Sequence, residues 1–275
     1  VLKYKVTGMT YDEYAVDIFS RIERHPEKLI PVFDDTEIDI MFYVDDHILA
    51  CEAYDKKNYG WLTESAAIVP WIYEKFANMY EDVIDNYNYV FSHSRELVNM
   101  HEKIKWIPAS ATWIRKPKIY TKTRKLSMVT SAKNFCKGHS SRLKFLSENK
   151  DKLDLYGNGF HNIEFKEDGL KRYMFSVAYE NAYYPGYFTE KILDCFATGT
   201  IPIYRGDPEI GKVFNTDGII FIDDDLDLDS LNEELYESKM EAIKENLDIT
   251  INNFMRVENY IYDNYLEGLD GNFIQ

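Results

Sequence analysis

Short apolar runs alternate along this chain with longer stretches whose apolar residues recur at helical spacing, and that alternation predicts an α/β architecture. The first strand falls on residues 2–6 and a helix on about 11–24. Residues 38–44 (IDIMFYV) form a strongly apolar strand that runs into Asp45, Asp46 and His47. A short strand over 60–63 stops at Glu64. A helix over 70–78 carries Pro70 in its first turn, where a missing N–H does no harm. Residues 89–92 and 104–108 read as strands, and a helix opens at Ser94.

The composition then shifts. Residues 115–125 (RKPKIYTKTRK) are basic, contain Pro117 and lack apolar periodicity, which marks a linker between two domains. Beyond it strands are predicted over 126–130, 153–156, 173–179, 201–204 and 218–222. Helices are predicted over 140–149 and 189–198, with Gly199 as the C-terminal glycine of the second. From about residue 230 the chain reads as helical and acidic. The expected organisation is an N-terminal domain over 1–118, a second over 119–240, and a helical segment over 241–275 that packs back on the first. Two such halves leave a cleft between them, and ligands of these sheets bind beyond the carboxyl ends of the strands.

Composition narrows the partners. With 32 basic and 47 acidic residues the formal charge is −15, which disfavours nucleic acid and anionic membranes as partners. Hydrophobic residues make up 45%, enough for buried cores. The three cysteines, Cys51, Cys136 and Cys195, are too few and too far apart for a disulfide framework or a metal knuckle. They point to a reducing, cytoplasmic compartment, the host cytoplasm for a viral protein. No apolar run approaches the roughly 18 residues of a transmembrane segment, and no secretory leader is visible.

The densest chemistry lies in 173–208, YMFSVAYENAYYPGYFTEKILDCFATGTIPIYRGDP. A strand there ends in Glu180 and Asn181. After a loop, Thr189 is placed to cap a helix whose first turn carries Glu190 and Lys191. Free N–H groups and a partial positive charge at such a helix start favour a diphosphate, and Lys191 adds a full charge. Glu190 is suited to a ribose or sugar diol, as acidic residues are in dinucleotide-binding folds.

This stretch resembles the donor-binding signature of the α-1,3-fucosyltransferase family. The elements of the resemblance are Tyr179-Glu180-Asn181, Tyr187-Phe188-Thr189-Glu190-Lys191 and Ile201-Pro202-Ile203-Tyr204-Arg205-Gly206, with Tyr179 where Phe is usual. Upstream, 127–146 (SMVTSAKNFCKGHSSRLKFL) resembles the family's strand, loop and helix, and places Arg142 where that family has an arginine on the donor diphosphate. Residues 153–159 (LDLYGNG) resemble its strand and glycine loop, with Gly157 and Gly159 free to let backbone approach a ligand.

The resemblance implies a GT-B fold, two Rossmann-like domains facing a central cleft. It implies inversion at the anomeric carbon without a covalent intermediate. It also implies phosphate binding by Arg142, Lys191 and helix ends rather than by an obligatory metal, with Mg or Mn serving at most to stimulate. The donor implied is GDP-fucose and the acceptor an oligosaccharide. Compact relatives in bacteria and large DNA viruses keep UDP-xylose open as the donor.

A single inverting displacement needs a base for the acceptor hydroxyl. The resemblance implies a glutamate just after a first-domain strand, and Glu64 stands there; Asp45, Asp46 and His93, also at strand ends, are its rivals. A transferase of the other common fold would need an Asp-x-Asp metal site, for which Asp45-Asp46 and Asp223-Asp224-Asp225 are the candidates. The latter reads as a solvated connection. A non-catalytic nucleotide-sugar or glycan-binding module is the alternative from another class.

Overall fold

The computed structural model describes residues 1–7, 26–32 and 36–267. The helix predicted over 11–24 lies outside the described residues. The chain divides into two compact units, one built from Val1–Ala109 with Arg256–Gln275, the other from Ser110–Met255. Among the described residues no helix is long and apolar enough to cross a membrane.

The first unit holds six strands: β1 (Leu2–Val6), β2 (Leu29–Pro31), β3 (Ile40–Val44), β4 (Asn58–Trp61), β5 (Tyr89–Ser92) and β6 (Ile104–Trp106). They form one sheet in the order β2-β1-β3-β4-β5-β6, with every pairing parallel. Parallel sheets are buried on both faces, and the side-chain alternation shows it. Phe42, Tyr59, Trp61 and Phe91 point to one face, where Ile261 and Leu266 from the end of the chain cover them. Val90 and Ile104 point to the other, against Ile72, Tyr73 and Phe76 of the helix α1 (Pro70–Val83). That helix outruns its predicted end because Val83 is buried too. A short helix α2 (Arg95–Val98) opens as expected at Ser94, whose side chain accepts from the Leu97 N–H. Strand β2 has no signature in the sequence. It is three residues long, ends in Pro31 and sits at the sheet edge, where proline is tolerated.

The second unit holds β7 (Arg124–Val129), β8 (Asp154–Tyr156), β9 (Tyr173–Tyr179), β10 (Ile201–Arg205) and β11 (Ile220–Phe221). Their order, β11-β10-β9-β7-β8, is again wholly parallel. Helix α3 (Lys137–Asn149) links β7 to β8, and α4 (Glu190–Thr198) links β9 to β10. The acidic tail region gives α5 (Glu233–Ser238) and α6 (Met240–Asn253), and Phe254 after α6 packs edge-on against Phe188.

Residues 115–125 are not a linker. The division falls at Ala109/Ser110, and the basic residues find acceptors inside the second unit. Arg115 donates to Glu167 from its backbone N and its Nε, and Lys122 Nζ donates to the Thr198 carbonyl (2.7 Å) and to Thr200 Oγ1 (2.9 Å). The C-terminal break also differs from the expected 240/241. Helix α6 belongs to the second unit, where Asn246 accepts from the Asn215 N–H and donates to its carbonyl.

Residues beyond Met255 return to the first unit through α7 (Val257–Ile261) and a wider π-helical turn, Tyr262–Leu266. A buried ion pair anchors this return: Arg256 Nη2 lies 2.6 Å from Glu258 Oε1, which also accepts from the Tyr4 hydroxyl of β1 at 3.4 Å. Removing one partner of a buried pair leaves the other charge uncompensated. Glu258→Ala is therefore expected to cost roughly 3–5 kcal/mol in urea unfolding, and the double replacement Arg256→Met/Glu258→Met to recover most of it. Equal stabilities of the single variant and the wild type would contradict the anchor.

Candidate active site

Strand β7 sits beside β9 although β8 intervenes in sequence, so the chain reverses its direction of travel between them. At such a switch point the loops after the two strands part and leave a crevice beyond their carboxyl ends. Here the loops begin at Thr130-Ser131 and at Glu180-Asn181.

Glu180 is buried and turned inward. Its carboxylate accepts from the Thr189 N–H (2.9 Å), from Thr189 Oγ1 (2.8 and 2.9 Å) and from Lys191 Nζ (3.1 Å). Thr189 is the N-cap of α4, as its sequence context indicates, and Gly199 closes that helix at φ 68°. Glu180 thereby ties the end of β9 to the start of α4. Gly206 has its reason here too: a Cβ on it would lie 2.2 Å from the Tyr204 hydroxyl and 2.7 Å from Glu180 Cγ. The Asn181 side chain is held by Tyr187, whose hydroxyl donates to Oδ1 at 2.7 Å. The Asn181 carbonyl meets Cys136 Sγ at 3.5 Å and would meet a Cβ on Gly138 at 1.9 Å, so only glycine lets the start of α3 approach so closely.

Gly157 differs from expectation. At φ 114° it packs against the chain's own Thr130 carbonyl, 1.9 Å from where a Cβ would stand. Its conformational freedom serves the joint between the β7 and β8 loops rather than a free backbone surface.

Arg142 lies in α3 with 3% of its surface exposed. Its Nη2 donates to the Ser131 carbonyl at 3.1 Å, and its Nε is buried without a hydrogen-bond partner. Among the described residues it has no ion pair. Beside it, burial and then the charges of Arg142, Lys191 and Lys133 push the His139 imidazole down to about 4. Helix α3 starts at Cys136 without a side-chain cap, so its first N–H groups add to the positive field. A group of cations with an unmet buried donor, in a chain of net charge −15, is suited to an anion.

Glu190 and Lys191 join a buried chain of charges. Lys191 Nζ lies 3.5 Å from Glu190 Oε1, which also takes Lys166 Nζ at 3.1 Å. Lys166 in turn pairs with Asp194 at 2.8 Å, one helical turn beyond Glu190. Burial opposes the Glu190 charge, yet Lys166 and then Lys191 outweigh it and hold the carboxyl far below the usual range. Burial likewise opposes the Lys191 charge, and Glu180 and Glu190 carry its pKa up. The Asp194 carboxylate also accepts from Thr112 Oγ1 and the Trp113 N–H, both at 2.7 Å. Lys166, His139 and Asp194 are absent from the sequence reading; Asp194, four residues after Glu190 on one helix face, is the one whose spacing carried a signal.

In the first unit Glu64 follows β4 and is exposed, and its carbonyl is gripped from behind. The Tyr73 hydroxyl donates to that carbonyl at 2.7 Å, and His93 Nε2 lies 3.1 Å from it and 3.0 Å from the same hydroxyl. His93 is fully buried, which pushes its pKa down to about 4 and leaves the imidazole neutral. The Asp45 carboxylate is occupied by the Thr63 N–H (2.8 Å) and Oγ1 (2.7 Å), and Asp45 itself sits at φ 50°. Asp46 is exposed in the turn that follows. Asp223, Asp224 and Asp225 are exposed, with the Asp223 side chain accepting from the Asp225 N–H, the solvated connection expected of them. Among the described residues no cluster of three or more His, Cys, Asp or Glu is arranged to hold a metal ion.

The second unit is a wholly parallel α/β domain whose order reverses between β7 and β9, the switch-point arrangement of doubly wound folds. Residues 119–244 match the family model for glycosyltransferase family 10 (fucosyltransferase) C-term. A 64-residue stretch is 39% identical to the alpha-(1,3)-fucosyltransferase FucT of Helicobacter pylori, covering 23% of this chain and 13% of that protein. Another, of 101 residues, is 36% identical to the putative fucosyltransferase R654 of Acanthamoeba polyphaga mimivirus, covering 29% of this chain and 17% of that one. The chain thus spans under a fifth of the length of these relatives. A crystal structure of an alpha1,3-fucosyltransferase with GDP superposes with a TM-score of 0.53 at 17% identity, over 94% of this chain and 88% of that one. At that identity the likeness shows the fold, and it extends across both units.

An anion seated at Arg142 would offset the positive charges that act on His139. Inorganic pyrophosphate is therefore expected to raise the His139 pKa from about 4 toward its ordinary value, read from the imidazole proton shifts by NMR. An unmoved titration at saturating pyrophosphate would place the anion elsewhere.

Proposed function

We propose that this chain is a glycosyltransferase that seats a nucleoside diphosphate sugar at the β7–β9 crevice and moves the sugar to a hydroxyl of an oligosaccharide. The observation that carries the reading is the Arg142 guanidinium, buried with an unmet Nε among other cations. The donor is GDP-fucose. Support for that choice comes from the family domain and from solved fucosyltransferases of this fold that hold GDP and GDP-fucose.

In the proposed reaction the acceptor oxygen attacks the anomeric carbon from the face opposite the diphosphate, and inversion follows. As the bond to the diphosphate breaks, negative charge grows on the leaving phosphate. Arg142, Lys191 and the uncapped N–H groups of α3 are the groups that stabilise it. The acceptor proton passes to Glu64, whose backbone is fixed by Tyr73 and His93. Asp45 is spent on Thr63, and a buried neutral His93 has no route to a substrate hydroxyl. Because side chains and helix N–H groups take the phosphate charge, transfer is expected to continue in a strong chelator.

Two variants separate binding from chemistry. Arg142→Met removes a buried charge that has no bonded carboxylate, so it should fold at least as stably as the wild type. It should weaken GDP binding about 10–100-fold, measured by calorimetry. Glu64→Gln should keep GDP-fucose affinity and lose transfer by about 10²–10⁴-fold. A ligand confined to the folded state adds about 2.7 kcal/mol at about 100 times its Kd, so a thermal-shift series of GDP, UDP, GDP-fucose and UDP-xylose identifies the donor. Stabilisation by UDP-xylose alone would replace GDP-fucose as donor. Undiminished GDP affinity in Arg142→Met would remove the basis of the reading.

A further inference from the structure

Lys166 lies outside the dense 173–208 stretch, on the turn Lys166–Gly169 that precedes β9. Its ammonium is buried between two carboxylates one turn apart on the same face of α4, 3.1 Å from Glu190 and 2.8 Å from Asp194. The rest of its surroundings hold it there. The indole of Trp113 lies 4.7 Å from the ammonium, and Asp194 is pinned from its other side by Thr112 and the Trp113 N–H. The residue before Lys166, Phe165, stacks under the Arg115 guanidinium at 3.3 Å, and the residue after it, Glu167, binds Arg115. A flexible lysine is thus fixed at its neighbours on both sides and at its tip.

A lysine placed only for stability needs one acidic partner. This one bridges two, and the nearer to the crevice is Glu190, in the first turn of α4 beside the Lys191 that faces the anion site. We propose that Lys166 is a positioning residue for the donor site, holding the Glu190 carboxylate charged and aimed so that it accepts a hydrogen bond from a donor hydroxyl. The inference rests on the donor reading given above.

The groups around Glu190 determine what loss of Lys166 does. Lys191 and Asp194 act on it from α4 and Arg142 from α3, while Glu180, at the end of β9, shares Lys191 with it. With Lys166 present the carboxyl stays ionised at any ordinary pH. Without it, Lys191 is shared with Glu180, Asp194 repels from one turn away, and burial favours the neutral acid. The Glu190 pKa then rises, and the carboxylate is lost as pH falls through the raised value.

The test compares wild type, Lys166→Met and Glu190→Gln by calorimetry with GDP-fucose between about pH 8 and pH 5.5. Wild-type affinity should vary little with Glu190 over this range. Lys166→Met should bind about tenfold more weakly and lose further affinity toward low pH, converging on Glu190→Gln, which should be weak at every pH. Lys166→Arg, which keeps the charge, should restore the wild-type pH profile. A folded Lys166→Met with wild-type affinity and profile overturns the proposal. Should Lys166→Met not fold, Glu190→Gln still decides: wild-type affinity in that variant leaves Lys166 nothing to position. Failure of the wild type to bind GDP-fucose, UDP-xylose or pyrophosphate would instead sink the donor reading itself.

Discussion

The second unit depends on one buried carboxylate. Glu180 is met by three donors: the Thr189 N–H, the Thr189 hydroxyl, which lies within reach of both carboxylate oxygens, and Lys191 Nζ. An ionised carboxylate is costly to bury unless its oxygens are met, and here the donors come from the cap and first turn of α4. The end of a central strand and the start of the next helix are therefore one rigid joint. Everything that α4 offers, Glu190, Lys191 and Asp194, is placed by that joint. So is the Asn181 carbonyl, against which Gly138 brings the start of α3.

The joint also governs which charges remain available. Lys191 is committed to Glu180 and Glu190, and Lys166 to Glu190 and Asp194. In this network two ammonium groups meet three carboxylates, so each lysine in it already has carboxylate partners. Arg142 is the exception. Among the described residues it bonds a backbone carbonyl and has no carboxylate within hydrogen-bond reach to offset the cost of burying its charge. An unpaired buried charge is costly, so the arginine outside the network is more informative than the lysine within it.

What the sequence revealed follows the range of the interactions involved. The Thr189 cap, the Gly199 stop and the strand before them depend on neighbours a few residues away, and all three were legible. Glu180 was legible as a strand-end residue but not as an internal anchor, because its partners come from the far side of a loop. Lys166 was not legible at all: Glu190 is 24 residues off, and nothing local distinguishes this lysine from a solvated one. The basic run 115–125 misled for the same reason. Its charges looked solvated until Glu167 and the Thr198 carbonyl were brought to them by the fold. Strand β2 was missed because three residues ending in proline carry no periodicity.

The two units share a strand order, each with its second strand at one edge and its first beside its third, and the described residues at their strand ends differ in chemistry. Beyond β7 and β9 stand Arg142, His139 and an uncapped helix. Beyond β1 and β3 stands Asp45, whose carboxylate is consumed by Thr63 at a backbone conformation that few residues other than glycine adopt. A shared strand order therefore does not fix what stands at a switch point; the side chains at the strand ends do. In the first unit a further polar contact sits one strand along, after β4, where Tyr73 and a neutral His93 hold the backbone carbonyl of the exposed Glu64. Glu190 is instead held at its carboxylate, by Lys166 and Lys191, so the two units invest their polar contacts at different levels of the side chain.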